Sequence, residues 1–196
     1  MISHFKEAPT IKGKRITLRN IKPDIDNRSF YKMFLEPDMH LWTGNDIPNN
    51  ELETFELLCR YRDLDGLISW SIIKTNTQEF IGTYWIAPYE LEEKRIITAE
   101  AQRIGKQYWR SGYTKEARNL IYDFAFFDLD IEEIHAVAWK DNINSCKSME
   151  SIGFELVKYD KKLFSKRNQE LIENHYILTK KNWIMMRENL LSKDSL

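Results

Sequence analysis

The chain has 196 residues, 42% hydrophobic and 13% aromatic, enough to bury a substantial core and of a size for one domain rather than several. Its 29 lysines and arginines are mixed evenly with 30 aspartates and glutamates, a net charge of -1, which gives neither the basic footprint of a nucleic-acid binder nor a polybasic membrane anchor. The two cysteines, Cys59 and Cys146, suit buried thiols rather than a disulfide framework, and with no signal-peptide core and no run near 18 apolar residues, a soluble, cytoplasmic protein is expected.

In chain order, Arg15 to Asn20 alternates as a strand does, and Asp24 to Leu35 follows as a short helix that stops before Glu36-Pro37. Asn50 to Tyr61 reads as a second helix capped by Asn49 or Asn50. After a turn over Asp63 to Gly66, three consecutive strands are predicted: Leu67 to Lys74, Phe80 to Ala87 and Arg95 to Arg103. Thr75 to Gln78 forms a hairpin turn between the first two, and Tyr89 to Lys94 a longer, acidic one between the others. A helix from Gly112, a strand from Ile134 to Trp139, a helix from Asn142, and strands near Glu155 to Tyr159 and His175 to Thr179 complete the series. Beyond Lys181, Trp183 to Met186 and then Glu188 to Leu191 read as a short amphipathic helix, although a partly frayed tail fits the same residues. With no repeat or linker, residues 1–196 form a single domain, a core of about 10–180 and a helical tail over 181–196.

Two segments carry chemistry. Gln107 to Ala117 holds Gly112 in a turn that runs into a helix whose apolar positions Ala117, Leu120, Ile121, Phe124 and Phe127 follow helical spacing. Ser111 to Thr114 would form its first turn, where backbone N–H groups without helical acceptors bind phosphate. Glycine at 112 lets the backbone approach closely. The second segment runs from Asn142 through Ser145 to Gly153-Phe154, directly after the strand ending at Trp139. His4, His40, His135 and His175 are scattered without metal-ligand spacing, so no metal is expected.

Together these segments resemble the GCN5-related N-acetyltransferase (GNAT) superfamily, most closely its RimJ/RimL-type branch, and the resemblance covers nearly the whole chain. Lys14 to Arg19 is similar to the branch's opening strand, Phe80-Ile81-Gly82-Thr83 to its third strand, and Tyr108-Trp109 with Gly112-Tyr113-Thr114 and Glu116-Ala117 to its cofactor loop. Asn142, Ser145 and Gly153-Phe154 match the helix after the fifth strand. The resemblance implies an α/β (α+β) fold, a mixed but mostly antiparallel twisted sheet of about seven strands flanked by helices, with strands 4 and 5 splayed. It also implies acetyl-CoA as acetyl donor, a primary amine as acceptor, and direct attack without a covalent enzyme intermediate.

The same resemblance assigns roles. Backbone groups of Ile104, Gly105 and Lys106 would bind the pantetheine arm, the amides of Arg110, Ser111, Gly112, Tyr113 and Thr114 the diphosphate, and the Asn142 side chain the arm near the thioester. Ser145 would donate to the departing sulfur, unless it bonds its own helix turn instead. Glu100 is the candidate base, but the family's glutamate stands one residue earlier, where this chain has Ala99; either a bulge restores it or Glu100 points elsewhere. Arg110 replaces the family's usual glycine, and either contacts a phosphate or weakens the loop. His40 and Trp42, in a loop with Thr43, Asn45 and Asp46, are candidate acceptor-binding residues, and Glu90, Glu92 and Glu93 would attract a cationic amine or form a solvated turn. His135 reads as a satisfied strand histidine. The acceptor would be a protein N-terminal α-amine or a small amine, and the protein a monomer or homodimer. A non-catalytic acyl-CoA-binding or sensing module, and an interaction domain without the cofactor, are the competing readings.

Overall fold

A computed structural model describes residues 7–44, 46–91 and 95–193. Strands β1 (Ile11–Lys12), β2 (Ile16–Asn20), β3 (Ile68–Lys74), β4 (Phe80–Glu90), β5 (Ile96–Ile104), β6 (Glu133–Trp139), β7 (Glu155–Phe164) and β8 (Gln169–Thr179) form one sheet in the order β1-β2-β3-β4-β5-β6-β8-β7. All neighbours are antiparallel except β5 and β6. Helices α1 (Pro23–Phe34) and α2 (Glu51–Asp63) follow β2, α3 (Tyr113–Asp123) and α4 (Ile143–Glu150) bracket β6, and α5 (Lys180–Lys193) ends the described chain. The architecture is the mixed, mostly antiparallel one that the resemblance implies, with eight strands because the two-residue β1 pairs with β2.

Two cores lie on opposite faces of the sheet. Phe30, Phe34, Leu58, Ile73 and Phe80 close the α1/α2 face, while Trp70, Tyr84, Ile104, Ile121, Phe126 and Trp183 belong to the larger core of the other face. The start of α1 is tied to β2 by a bidentate pair in which Arg19 donates to the fully buried Asp26 at 2.6 and 2.9 Å, joined by the Ser71 hydroxyl and the Lys22 amide. Asn50 caps α2 by accepting from the Glu53 amide, and the Glu53 carboxylate reaches back to Asn49, a reciprocal box that uses both asparagines. The tail is docked: Trp183 is buried, donates to Asp123 at 2.9 Å and meets the Tyr122 ring edge-on at 5.4 Å.

The periodicity of α3 breaks at a π turn over Phe124–Asp128. Phe124, Ala125 and Phe126 are buried, whereas Phe127, expected inside by helical spacing, is 54% exposed. The extra residue in the turn rotates the following side chains by most of one position, a displacement a 3.6-residue period does not include. No helix of the described residues is long and apolar enough to cross a membrane.

Candidate active site

β5 and β6 pair over only three positions, Ile97↔Glu133, Thr98↔Ile134 and Ala99↔His135, and then separate. Beyond Ala99 the edge of β5 that faces β6 has no strand partner among the described residues. The gap opens into a cleft of about 1190 Å³ whose lining includes Thr114 and Ser145 from α3 and α4 and Trp42 and Arg103 from the α1/α2 side. β4 holds β5 in place through an unshifted register from Gly82↔Ile104 to Glu90↔Ile96. Gly82 is required there, because a Cβ would stand 2.2 Å from the Arg103 carbonyl oxygen.

Helix α3 begins at Tyr113, so Ser111 and Gly112 precede the helix rather than forming its first turn. Arg110 and Gly112 both adopt left-handed backbone, with φ of 59° and 79°. The first intrahelical bond runs from the Glu116 amide to Gly112, which leaves the Tyr113, Thr114 and Lys115 amides without helical acceptors. Arg15 on the strand side holds this turn: it donates to the Ser111 carbonyl at 2.8 Å and to Glu116 at 2.8 Å, and stacks on Tyr113. Burial pushes the Glu116 carboxyl up, but the Arg15 amide and guanidinium and the Ile16 amide together hold it below its ordinary value. Ile104 and Gly105 are engaged already, the Ile104 carbonyl by the Trp109 indole at 2.7 Å and the Gly105 amide by Ile81 at 3.0 Å. The Lys106 ammonium is committed to Asp38 at 2.8 Å and Glu36 at 3.6 Å.

Glu100 faces α3. The continuous register of β5 contains no bulge, so alternation sets Glu100 on the side opposite Ala99. Its side chain is 3% exposed and accepts from Arg118 at 3.2 Å and from the Tyr122 hydroxyl at 2.6 Å. Burial raises the Tyr122 phenol well above its ordinary value, which keeps it a neutral donor. Arg118 also donates to the Ser148 hydroxyl on α4 at 2.9 Å and so ties α3, α4 and β5 together at the cleft floor. Sequence reasoning missed Arg118, whose available signal was a charged residue between the apolar Ala117 and Ile121. Two buried polar atoms in the cleft wall, Gln102 Oε1 and Arg118 Nε, have no partner among the described residues. One is an acceptor and the other a donor, the complement of an amide-bearing chain laid along β5.

Asn142 caps α4 by accepting from the Ser145 amide at 3.3 Å, which leaves its amide nitrogen for the cleft. Ser145 is half-buried in the cleft wall, and no hydrogen bond to its hydroxyl is formed among the described residues. Trp42 lines the cleft under the Arg167 guanidinium, 4.5 Å from the ring. His40 does not line it: its ring stacks on Phe34 and its Nε2 meets the Phe34 carbonyl. Asn45, Glu92 and Glu93 lie outside the described residues. His135 does line the cleft, beside Ala99 on the same face, with its Nε2 2.8 Å from Glu133. His175 stands nearby on β8, with Nε2 3.0 Å from Asp160 and 3.1 Å from Glu173 but without hydrogen-bond alignment to either. Among the described residues no group of three or more metal-ligating side chains is present.

The sequence matches the family model of the acetyltransferase (GNAT) domain over residues 15–155. It is 31% identical over 86 residues to the uncharacterized N-acetyltransferase p20 of Bacillus licheniformis, a match covering 44% of this chain and 47% of that protein. The chain spans about half the length of the curated relatives it matches. Its fold is similar to a GCN5-related N-acetyltransferase from Brucella melitensis, with TM-score 0.79, 13% identity, and 93% of this chain and 83% of that chain covered. It is also similar to the ribosomal-protein-S5-alanine acetyltransferase from Vibrio fischeri, with TM-score 0.74, 16% identity, and 89% and 98% covered. At such identities these structures show the fold alone.

Proposed function

The chain belongs to the GNAT acetyltransferase family, and on that premise we propose that it is an acetyl-CoA-dependent N-acetyltransferase acting on a primary amine, either a protein N-terminal α-amine or a small-molecule amine. The observation that carries this reading is the separation of β5 from β6 after Ala99↔His135, which opens a cleft lined both by Thr114 at the start of α3 and by Trp42. Acetyl-CoA, when bound, supplies an activated acetyl thioester. The Tyr113 to Lys115 amides and the left-handed turn at Arg110 to Gly112 would hold its diphosphate. Gln102 and Arg118 would pair with the amides of its arm, and Asn142 would meet the arm near the thioester.

Transfer requires a neutral amine and a protonated leaving group. Ser145, with an uncommitted hydroxyl, is the donor we assign to the sulfur. Glu100 would act as a positioning residue that fixes Arg118, since both its oxygens are engaged on the α3 side. His135, beside the Ala99 position and held by Glu133, is the group we assign to accept the proton of the attacking amine. Backbone N–H groups of β5 would polarise the acetyl carbonyl.

One observation favours the alternative, a non-catalytic acyl-CoA-binding or sensing module: the carboxylate expected to act as base is bound up in an ion pair. Calorimetry with acetyl-CoA followed by thiol release across amines and peptide N-termini separates the two. Binding with turnover supports the enzyme, tight binding without turnover supports the module, and absence of binding removes both.

A further inference from the structure

Arg103 is a cation for which the described residues supply no carboxylate within ion-pair distance. It follows Ala99 and Ala101 on the α1/α2 face of β5, lines the cleft with Asp38 and Trp42, and rests its guanidinium 4.6 Å above the Phe34 ring. Asp38 is bonded to Lys106 instead. From α2, Tyr61 faces it as a phenol that burial keeps protonated. From the turn after β7 it meets another positive charge, the Lys166 ammonium, which burial and then Arg103 push below its ordinary value against the opposing pull of Asp46. Burial likewise lowers the Arg103 guanidinium.

Arg103 is half-buried, and partly removing a cation from water without a counter-charge is unfavourable for the folded state, as is placing a second cation near it. Folding therefore gives no reason for Arg103 beyond its contact with Phe34, whereas a ligand does. A guanidinium on the wall of a cleft offers a planar fork of N–H donors that fits a carboxylate or a phosphate. We propose that Arg103 is the anion-recognition group of the acceptor end, so that the acceptor is an amine that also carries a carboxylate or phosphate. This rests on the acetyltransferase reading of the cleft. Arg103 lies two residues beyond Ala101 and four beyond Ala99, about 7 and about 13 Å of strand, so the anionic group is separated from the reacting amine by several ångströms.

The test is thiol release from acetyl-CoA with matched pairs of probes: the ω-amino acids from glycine to 6-aminohexanoate against their carboxamides, and phosphoethanolamine against ethanolamine. Phosphoethanolamine distinguishes a phosphate from a carboxylate as the recognised group. The expected result is that the anionic member of at least one pair has kcat/KM at least about 50-fold above its neutral partner. Arg103→Met should erase that preference through KM while kcat stays within about twofold, and Arg103→Lys should retain part of it. The Tm of Arg103→Met should equal or exceed that of the wild type. Neutral amines turned over as well as anionic ones would overturn the inference, as would a fall in Tm of more than about 5 °C in Arg103→Met, which would make the arginine a strut. Acetyl-CoA binding without turnover of any probe would remove the enzyme reading and this inference with it, a result distinct from turnover without anionic preference.

Discussion

Ala99 and Glu100 are one position apart, and on a strand one position is a change of face. The carboxylate that the family resemblance offered as a base is directed to α3, where it meets Arg118, and beside Ala99 stands the His135 imidazole of the neighbouring strand. Sequence contained both residues and the one-position offset, but the presence or absence of a bulge is a matter of pairing that β5 alone does not encode. Asn142 and Ser145 entered through the family resemblance, and that Asn142 caps α4 emerges only in the structure, while Arg15, Arg103 and Arg118 act through partners up to 101 positions away. Ser145→Ala is expected to lower kcat about tenfold or more with acetyl-CoA affinity nearly unchanged, measured by steady-state kinetics beside calorimetry. Arg110 holds a left-handed backbone that costs a non-glycine residue about 1 kcal/mol, so Arg110→Gly should raise Tm by about 3 °C. If the guanidinium contacts a phosphate, the same variant binds acetyl-CoA more weakly at low salt, with the difference shrinking as salt is added.

Elements were read best where a local rule terminates them. The start of α2 follows from its asparagines, the hairpin after β3 from its turn residues, and β4 and β5 from runs bounded by turns, although β4 continues over Tyr89 and Glu90, which read as part of the acidic turn. The π turn after α3 was not readable, because Phe126 and Phe127 are chemically alike and only packing against Trp183 chooses between them. β7 and β8 extend well beyond their apolar cores since charged residues pair across the ladder, Lys161 with Glu170 and Lys162 with Glu173. The turn before α3 depends on Glu116 as much as on its glycine. Its carboxyl titrates below the ordinary value in the folded chain, so it contributes stability that is fully present above the unfolded-state value and is lost as the pH falls through the folded one. Glu116→Gln should therefore lower stability at pH 7 by about 2 kcal/mol, and the deficit should close in strong acid. Urea midpoints at both pH values check this; an equal deficit at both would assign the effect to packing.

Across the whole molecule, the helical tail belongs to the fold rather than trailing from it. Trp183 sits on the ring cluster of Tyr122 and Phe126, and Tyr122 in turn donates to Glu100 at the cleft floor. Trp183→Ala should cost about 4 kcal/mol in denaturant unfolding and disturb the Glu100 contact from behind, so that acetyl-CoA binding weakens although the residue is remote from the cleft mouth. A full-strength binder with a lowered midpoint would show that the ring cluster does not transmit to the floor. The sheet itself consists of two blocks, each continuous in sequence and antiparallel within itself, residues 11–104 and 133–179, stitched by the three parallel pairs at Ile97, Thr98 and Ala99. Within the blocks the β2–β3 and β6–β8 pairings span up to 58 and 46 positions but gain five and seven pairs, whereas the stitch, which joins positions 36 apart, gains only three. The seam is thus expected to form after the blocks during folding and to open first during native-state fluctuation, with amide exchange at residues 97–99 and 133–135 faster than in the interior of either block. A cleft made by leaving a sheet unfinished inherits the weakest line in that sheet, and substrate laid along β5 would act as the missing stitches, slowing that exchange in proportion to its occupancy.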